Sequence, residues 1–301
     1  MEKKKYKIKI KEDLSYIRTE KMSSCKVLVG LPCFGGNLCA ETVSGLIKVA
    51  QRSIQHKIQV DFYHLANESL IPRARNKIVA HFLASKQGYT HLMFIDVDSE
   101  FEGDDVFKLL HFNKDVIGGP VCVKKYPIRH VMNIKGAREG KIHHTSDKKI
   151  VEVSNIGSAF YMIKRRVFEE MKKAYPELSA DPHEVKEQVE EAYSSGEEGS
   201  DYYDRYVDNF YTFYDTGTAG KLGLTIEDQE KKEGQYLSED YTFAQRWKEI
   251  GGKMWIDPRI LVGHIGRHVY FGNPMNYFPK ELWLPEDYEL EKKLANPTKL
   301  V

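Results

Sequence analysis

The stretch HLMFIDVDSEF, residues His91–Phe101, joins an apolar run to two carboxylates that stand one residue apart. The run Leu92–Ile95 predicts a short strand that is buried on both faces. Because side chains alternate along an extended chain, we expect Asp96 and Asp98 to point the same way. Converging carboxylates repel each other and lose hydration, so a cation between them is one explanation. An ordinary strand followed by an acidic, helix-capping loop is the other, and the motif alone favours it.

The segments on either side of this stretch alternate between strand and helix patterns. Such alternation predicts an α/β fold with a mainly parallel sheet, flanking helices and right-handed crossovers. Ligands bind these sheets at the carboxyl ends of the strands, where the PCFGGN and ANESLIPRAR segments would meet the D-x-D motif. The patterns predict strands at Cys25–Pro32, Ile58–Leu65 (an outer strand) and 115–121, and helices at Glu41–Ile54, from Pro72 onward and at Asp104–Phe112.

Two arginines stand at the start of the helix that follows SLIP. Pro72 suits the first turn of a helix, which places Arg73, Arg75 and Asn76 in its opening turns. Positive charge at this end opposes the helix macrodipole, a cost that a bound anion would offset. A pair of solvated arginines explains the residues equally well.

The middle of the chain is less regular. Lysine-rich runs between Val123 and Val153 predict an antiparallel hairpin or meander, and they indicate no function. A strand is predicted at Ala159–Ile163, and Gly157 before it marks either a bend or a place where a ligand approaches the backbone. The following aromatic residues suggest an acceptor-binding wall or core packing: Tyr202, Tyr203, Phe210, Tyr211, Phe213 and Tyr214.

Acidic residues and a histidine recur near the end of the chain. Ser238 is a suitable N-cap for a helix with Glu239 and Asp240 in its first turn, where acidic residues are common for dipole reasons alone. His264 follows a predicted apolar strand. A histidine in this position is usually structural, but it also suits a metal site of mixed Asp and His ligands.

The 301 residues are predicted to form one large domain. We expect a charged N-terminal arm at 1–24, a single domain at 25–275 and a C-terminal tail at 276–301. Within the domain, residues from about 176 to 236 form an insertion with a flexible acidic part. The tail is expected to be an amphipathic cover, a dimer contact or disordered.

The composition excludes some partners and favours one compartment. Lys and Arg number 45 against 44 Asp and Glu, so no overall charge attracts nucleic acid or membranes, and any polyanion must be met locally. The four cysteines show no metal-finger spacing and are predicted to be free thiols. No signal peptide or membrane span is evident, so a cytoplasmic protein is expected.

Six segments in a fixed order carry a resemblance to a known family. They are GLP, SLIPRARN, FIDVD, SNIGSAF, YLSEDYTF and GHIGRHVYFG. In this order they resemble nucleotide-sugar glycosyltransferases of the GT-A fold, a Rossmann-like α/β fold, and above all the D-x-D enzymes of phages and large viruses. The resemblance covers Cys25–Gly272 apart from the insertion. The likeness to viral enzymes implies a viral protein, and a viral protein of this kind is expected in the host cytoplasm.

The resemblance implies specific roles. The implied donor is a nucleoside-diphosphate sugar, UDP-linked in this interpretation. Mn²⁺ or Mg²⁺ is held by a site of Asp96, Asp98 and His264, in which Asp96 contacts either the waters of the metal or the nucleotide ribose. The residues implied to contact the donor are Pro32, Arg73, Arg75, Asp96, Val97, Asp98, Gly157, Arg267 and Tyr270. An inverting reaction needs a base for the hydroxyl of the glycan, protein or small-molecule acceptor, and we assign it to Asp240, with Glu239 binding acceptor hydroxyls. In a retaining enzyme, Asp240 would serve acceptor binding instead.

Other functions also suit a D-x-D motif. Haloacid dehalogenase-type phosphohydrolases place it on the strand that opens the domain, whereas here it follows the third strand and continues with Ser99 and Glu100. A sugar nucleotidyltransferase would need a Gly-rich basic segment after the first strand. A carbohydrate- or nucleotide-binding protein without turnover is the alternative outside enzymes.

Overall fold

The computed structural model describes residues 22–136, 140–147, 149–184, 186, 189, 199–224, 234–266, 269–270 and 272–295. The strands are β1 (Lys26–Cys33), β2 (Gln59–Ala66), β3 (His91–Ile95), β4 (Ser99–Glu100), β5 (Val116–Gly118), β6 (Met132–Ile134), β7 (Val151–Ile156), β8 (Phe160–Lys164), β9 (Gly217–Thr218), β10 (Tyr236–Leu237), β11 (Met254–Ile256), β12 (Gly263–Ile265) and β13 (Val269–Tyr270). The α-helices are α1 (Ala40–His56), α2 (Ile71–Ala84), α3 (Gly103–Phe112), α4 (Arg165–Ala174), α5 (Tyr202–Asp208), α6 (Glu239–Glu249) and α7 (Pro285–Ala295).

Eight strands form the main sheet, in the order β2-β1-β3-β8-β5-β11-β7-β6. Six of them run in one direction, and β7 and β8 run in the other. The predicted α/β class is therefore confirmed, and the sheet, which was predicted to be mainly parallel with an added antiparallel part, is mixed. Only parallel neighbouring strands need a crossover, which is usually a helix, and no helix lies between β5 and β8 in the described part of the chain.

The central strand β3 is buried on both faces, as its apolar sequence predicts. Leu92 and Phe94 belong to one core, together with the inner faces of α2, α4 and α6. Met93 and Ile95 belong to the opposite core, together with α1 and α3. The sheet thus has helices on both faces. β2 is half-buried and lies at the sheet edge among the described strands, as predicted.

Much of the predicted insertion packs on the rest of the domain. Tyr202, Tyr206 and Phe210 are buried against Ala80 and Ala84 of α2. Phe213 and Tyr214 are fully buried in the main core. Core packing rather than an acceptor-binding wall therefore explains these aromatic residues. The predicted flexible acidic part lies mostly outside the described residues.

The C-terminal tail covers the core. Phe278 and Trp283 are buried in the same cluster as α2 and α6, and Leu290 of α7 is also buried. Asp287 is buried and accepts a hydrogen bond of 3.0 Å from Arg259 Nη2, which ties α7 to the loop after β11. Of the three expectations for this segment, the described residues bear out the cover.

Two further expectations concern thiols and membrane spans. Cys25, Cys33, Cys39 and Cys122 are thiols outside any disulfide bond, as their spacing predicts. No helix in the described ranges combines the length and the apolar character that a bilayer crossing requires.

A buried histidine makes the stability of this fold sensitive to acid. Burial, with a smaller contribution from Lys164, lowers the pKa of His91 from 6.5 to about 4. The unfolded chain therefore binds a proton that the folded protein excludes, so stability falls as the pH drops from 6.5 towards 4. We expect His91→Gln to reduce this acid-induced loss of unfolding free energy by about 2 kcal/mol between pH 7 and pH 4.5, as measured by urea denaturation. The exposed control His143→Gln should lose stability as the parent does, and equal losses in all three proteins would contradict the prediction.

Candidate active site

The D-x-D motif forms a tight turn rather than an extended segment. Ser99 N donates to Asp96 O at 3.1 Å, which closes the turn directly after β3. The alternation of side chains applies only to extended chain, so the expectation that Asp96 and Asp98 point the same way is wrong. The Asp96 carboxylate contacts Arg75, whereas the Asp98 carboxylate contacts Lys124 and His264.

The backbone of this turn is held from several sides. The N-terminus of α1 contacts it through Cys39 N and Thr42 Oγ1, which donate to Val97 O at 2.9 Å and 2.8 Å. Asp98 O accepts a 2.7 Å hydrogen bond from Ile265 N, so β12 is fixed beside the motif. Asp96 N donates to Ala159 O at 2.9 Å, just before β8. These bonds position both carboxylates independently of any ligand.

Arg75 is the centre of one group of charges, here called the Arg75 cluster (Arg75, Asp96 and Glu239). The guanidinium is 2% exposed, its Nη2 donates to Asp96 Oδ1 at 3.0 Å, and its Nε lies 3.6 Å from Glu239 Oε1. Burial lowers the pKa of Arg75, but the two carboxylates outweigh it and keep the pKa above its ordinary value. The anion that offsets this arginine is therefore supplied by the protein, and the solvated alternative is wrong for Arg75.

Two buried tyrosines lie next to the Arg75 cluster. The hydroxyls of Tyr161 and Tyr214 share a hydrogen bond, and burial raises the pKa of both. The Asn76 side chain fixes Tyr214 by donating to its carbonyl at 2.7 Å and accepting from its amide at 2.9 Å. Arg75 also lies over the Phe94 ring at 5.1 Å, so the ion pairs rest on a packed aromatic base.

Asp98 forms a second group with His264 and Lys124. Asp98 Oδ2 accepts a hydrogen bond from Lys124 Nζ and lies 3.5 Å from His264 Nε2. Burial raises the pKa of Asp98, but the contacts with His264 and Lys124 outweigh it and hold the pKa at about 2. His264 Nδ1 donates to the Cys122 carbonyl at 2.8 Å, so the imidazole directs Nε2 at the carboxylate.

The pair of Asp98 and His264 fits one divalent cation. Two ligands bound to a single ion at about 2.1 Å lie roughly 3.0 to 3.5 Å apart, and the observed separation of 3.5 Å is at the upper end. The described residues contain no group of three or more His, Cys, Asp or Glu side chains that could hold a metal. Asp96 does not belong to this ligand pair, because Arg75 binds its Oδ1. A cation here would need water or substrate oxygens for its other positions.

Glu239 and Asp240 start α6, as predicted, but their carboxylates have different surroundings. Burial raises the pKa of Glu239, and Arg75 opposes this rise. Asp240 Oδ1 accepts hydrogen bonds from Ser238 Oγ and, at 2.8 Å, from Tyr241 N. Ser238 occupies the N-cap position without a side-chain capping bond. Within the described residues, Asp240 Oδ2 has no hydrogen-bond partner.

The remaining predicted donor contacts have varied positions. Pro32 is buried near the end of β1, and the half-exposed Arg73 pairs with Glu68 at 2.6 Å rather than with the motif. Gly157 N donates to Val131 O at 2.8 Å, and a side chain at Gly157 would meet Val131, so the chain itself makes the close approach. Arg267 and the side chain of Tyr270 lie outside the described residues.

The sequence reasoning missed Lys124, which lies in a segment where no function was predicted. The available signal was charge, because residues 121–131 contain Lys124, Lys125 and Arg129 but neither Asp nor Glu. A basic segment directly after a strand that ends beside a D-x-D motif could have been identified as a candidate contact for an anion.

A cavity of about 590 Å³ lies near the start of β3, at the opposite end of the strands from the motif. Its lining includes Lys164 and Arg166, which pair with Asp115, and Lys114, which stacks on the Trp255 ring at 4.4 Å. These cations already have partners within the chain, so the D-x-D edge remains the candidate active site.

Comparisons with known proteins give distant likenesses. No protein-family model and no curated protein matches the chain. The crystal structure of A197 from STIV aligns over 82% of this chain and 94% of that chain, with a TM-score of 0.43 and 14% identity. The crystal structure of a glycosyltransferase involved in the glycosylation of the major capsid of PBCV-1 aligns over 75% and 98%, with a TM-score of 0.29 and 8% identity. At these TM-scores neither likeness assigns a function to the chain.

Removal of the buried guanidinium should damage the fold far more than removal of its exposed neighbour. Arg75→Met leaves Asp96 and Glu239 as uncompensated charges, and we expect it to lower the unfolding free energy by about 3–5 kcal/mol in urea denaturation. Arg73→Met removes a half-exposed partner and should cost less than about 1 kcal/mol. Equal losses in the two variants would contradict the central role of Arg75.

Proposed function

We propose that this protein is a glycosyltransferase that uses a divalent cation, Mn²⁺ or Mg²⁺, to move a sugar from a UDP-linked donor to a hydroxyl acceptor with inversion. The acceptor is a glycan, a protein or a small molecule. The fold family proposed is GT-A, whose motif order the sequence resembles. The proposal keeps Asp98 and His264 as the protein ligands of the cation and leaves out Asp96, whose Oδ1 is bound by Arg75.

The observation that carries the proposal is the side-by-side arrangement of Asp98 and His264 at the carboxyl edge of the sheet. The two residues are 166 positions apart in the chain (264 minus 98), yet Oδ2 and Nε2 lie 3.5 Å apart. The pairing of β4 with β12 and the hydrogen bond from His264 to Cys122 O maintain this arrangement. A carboxylate and an oriented imidazole form a suitable ligand pair for a transition-metal ion.

Different residues of the chain have different roles in such a reaction. When bound, the cation would stabilise the negative charge that develops on the nucleoside diphosphate. Asp240 accepts the proton of the acceptor hydroxyl at Oδ2, while Ser238 and Tyr241 N hold Oδ1. Glu239 faces Arg75 at 3.6 Å, which supports a positioning role beside its assigned contact with the acceptor.

The rival functions receive less support from the site. A phosphohydrolase of the dehalogenase type uses the first Asp of the motif as its nucleophile, but Asp96 is tied to the buried Arg75. A binding protein without turnover has no need for a separate carboxylate such as Asp240, whose Oδ2 has no hydrogen-bond partner among the residues that the structure describes. Transfer assays distinguish this possibility from the enzyme.

Loss of the proposed cation ligand should abolish metal-dependent turnover. We expect Asp98→Ala to reduce release of nucleoside diphosphate from a panel of nucleotide sugars with Mn²⁺ by about a thousandfold, and EDTA to do the same to the parent. The control Asp104→Ala removes a carboxylate that pairs with Arg52 and should retain the parent rate. An unaffected Asp98→Ala variant would exclude the proposed ligand, and a parent without donor binding or hydrolysis would exclude the enzyme class.

Loss of the proposed base should separate binding from transfer. We expect Asp240→Asn to lower kcat by a factor of roughly 10²–10⁴, because the amide cannot take up the acceptor proton. The Kd for UDP with Mn²⁺, measured by calorimetry, should stay within about twofold of the parent value. Glu249→Gln, at the other end of α6, is the matched control. Transfer at the parent rate by Asp240→Asn would show that another residue is the base.

A further inference from the structure

The segment that follows β5 forms a basic hairpin over the Asp98 group. Its base is closed by Val123 N, which donates to Arg129 O at 2.8 Å, and by a bridge between Cys122 and His130. Lys124 and Lys125 lie in the exposed tip. The hairpin is thus held at its base by hydrogen bonds, and Lys124 in its tip places a positive charge at the candidate cation position.

One oxygen of Asp98 has two competing uses. Oδ2 accepts a hydrogen bond from Lys124 Nζ and is also the oxygen that lies 3.5 Å from His264 Nε2. An ammonium group at this position neutralises the carboxylate and repels a second cation. Lys124 must therefore leave Asp98 Oδ2 before that oxygen can serve as a metal ligand beside His264.

The ammonium released from Asp98 moves into water or to another anion. The Lys124 side chain is 35% exposed and has a flexible stem, so it can move without any change at the base of the hairpin. Residues 121–131 contain no acidic side chain that could receive it. The diphosphate of a donor that binds beside the cation is an anion in the right place.

From this geometry we propose that Lys124 is a donor-contacting residue that exchanges Asp98 for the diphosphate, and so couples cation binding to nucleotide binding. The inference rests on the proposed function. It adds Lys124, which is not part of the six sequence segments that resemble the GT-A family. In the absence of nucleotide, Lys124 competes with the cation for Asp98. When the cation and the nucleotide are both bound, Lys124 binds phosphate oxygens and the competition ends.

The test compares Lys124→Met with the parent and with Lys125→Met, which removes the same charge from the same hairpin without contacting Asp98. Mn²⁺ alone is titrated by paramagnetic resonance of the free ion, and UDP is titrated by calorimetry with and without Mn²⁺. We expect Lys124→Met to bind Mn²⁺ alone about fivefold more tightly, which corresponds to ~1 kcal/mol, and to bind UDP with Mn²⁺ about tenfold more weakly. Binding of UDP without Mn²⁺ should not change, so the coupling between the two ligands falls about tenfold.

Opposite shifts in Lys124→Met, with Lys125→Met within about threefold of the parent in all titrations, would support the proposal. If the parent binds Mn²⁺ and UDP but Lys124→Met resembles it, or weakens both ligands alike with an unchanged melting temperature, the exchange is overturned and the glycosyltransferase proposal stands. If Lys125→Met gives the same shifts, general charge accounts for the effect and the specific role is overturned. A parent that binds neither ligand overturns both proposals.

Discussion

A single buried guanidinium determines how the parts of this edge of the sheet, the candidate site, meet. A charge with the burial of Arg75 is costly unless carboxylates reach it, and its partners come from the end of β3 and the start of α6. The first turns of α2 and α6 must therefore converge at the carboxyl end of the central strand. The shared hydrogen bond of Tyr161 and Tyr214 lies beneath the same group, so the ion pairs and the aromatic core constrain each other.

The turn after β3 gives the two aspartates separate tasks. Asp96 stabilises the buried arginine, and Asp98 faces the edge of the sheet beside His264 and Lys124. The bond from Thr42 to Val97 O and the bond from Ile265 N to Asp98 O hold this division in place. In the proposed cation site, Asp98 and His264 would be the ligands, while Asp96 is committed to the fold.

Local sequence patterns predicted the elements well and the contacts of the site less well. The apolar run before Asp96, the proline at the start of α2 and the glycines after α6 each act within a few residues, and the structure has the strand, the helix start and the helix end that they indicate. The direction of Asp98 and the partner of Arg75 depend on residues far away in the chain. The contact of Lys124 was not predicted, because the sequence of its hairpin has no regular apolar pattern. The charge of a lysine alone does not identify the residue that it contacts.

The sequence by itself determined that the chain is an α/β protein with acidic residues at the end of a buried strand, because the spacing of apolar residues over a few positions indicates helix or strand. It also identified Asp98, His264 and Asp240 as candidates. Only the tertiary structure decided which of them meet. Because of the turn at Asp96–Ser99, the side chains of Asp96 and Asp98 do not point the same way, as an extended chain would require. The pairing of β4 with β12 brings His264 next to Asp98, although the two residues are far apart in the sequence. Such contacts arise from packing and backbone pairing between distant segments, which no local pattern specifies.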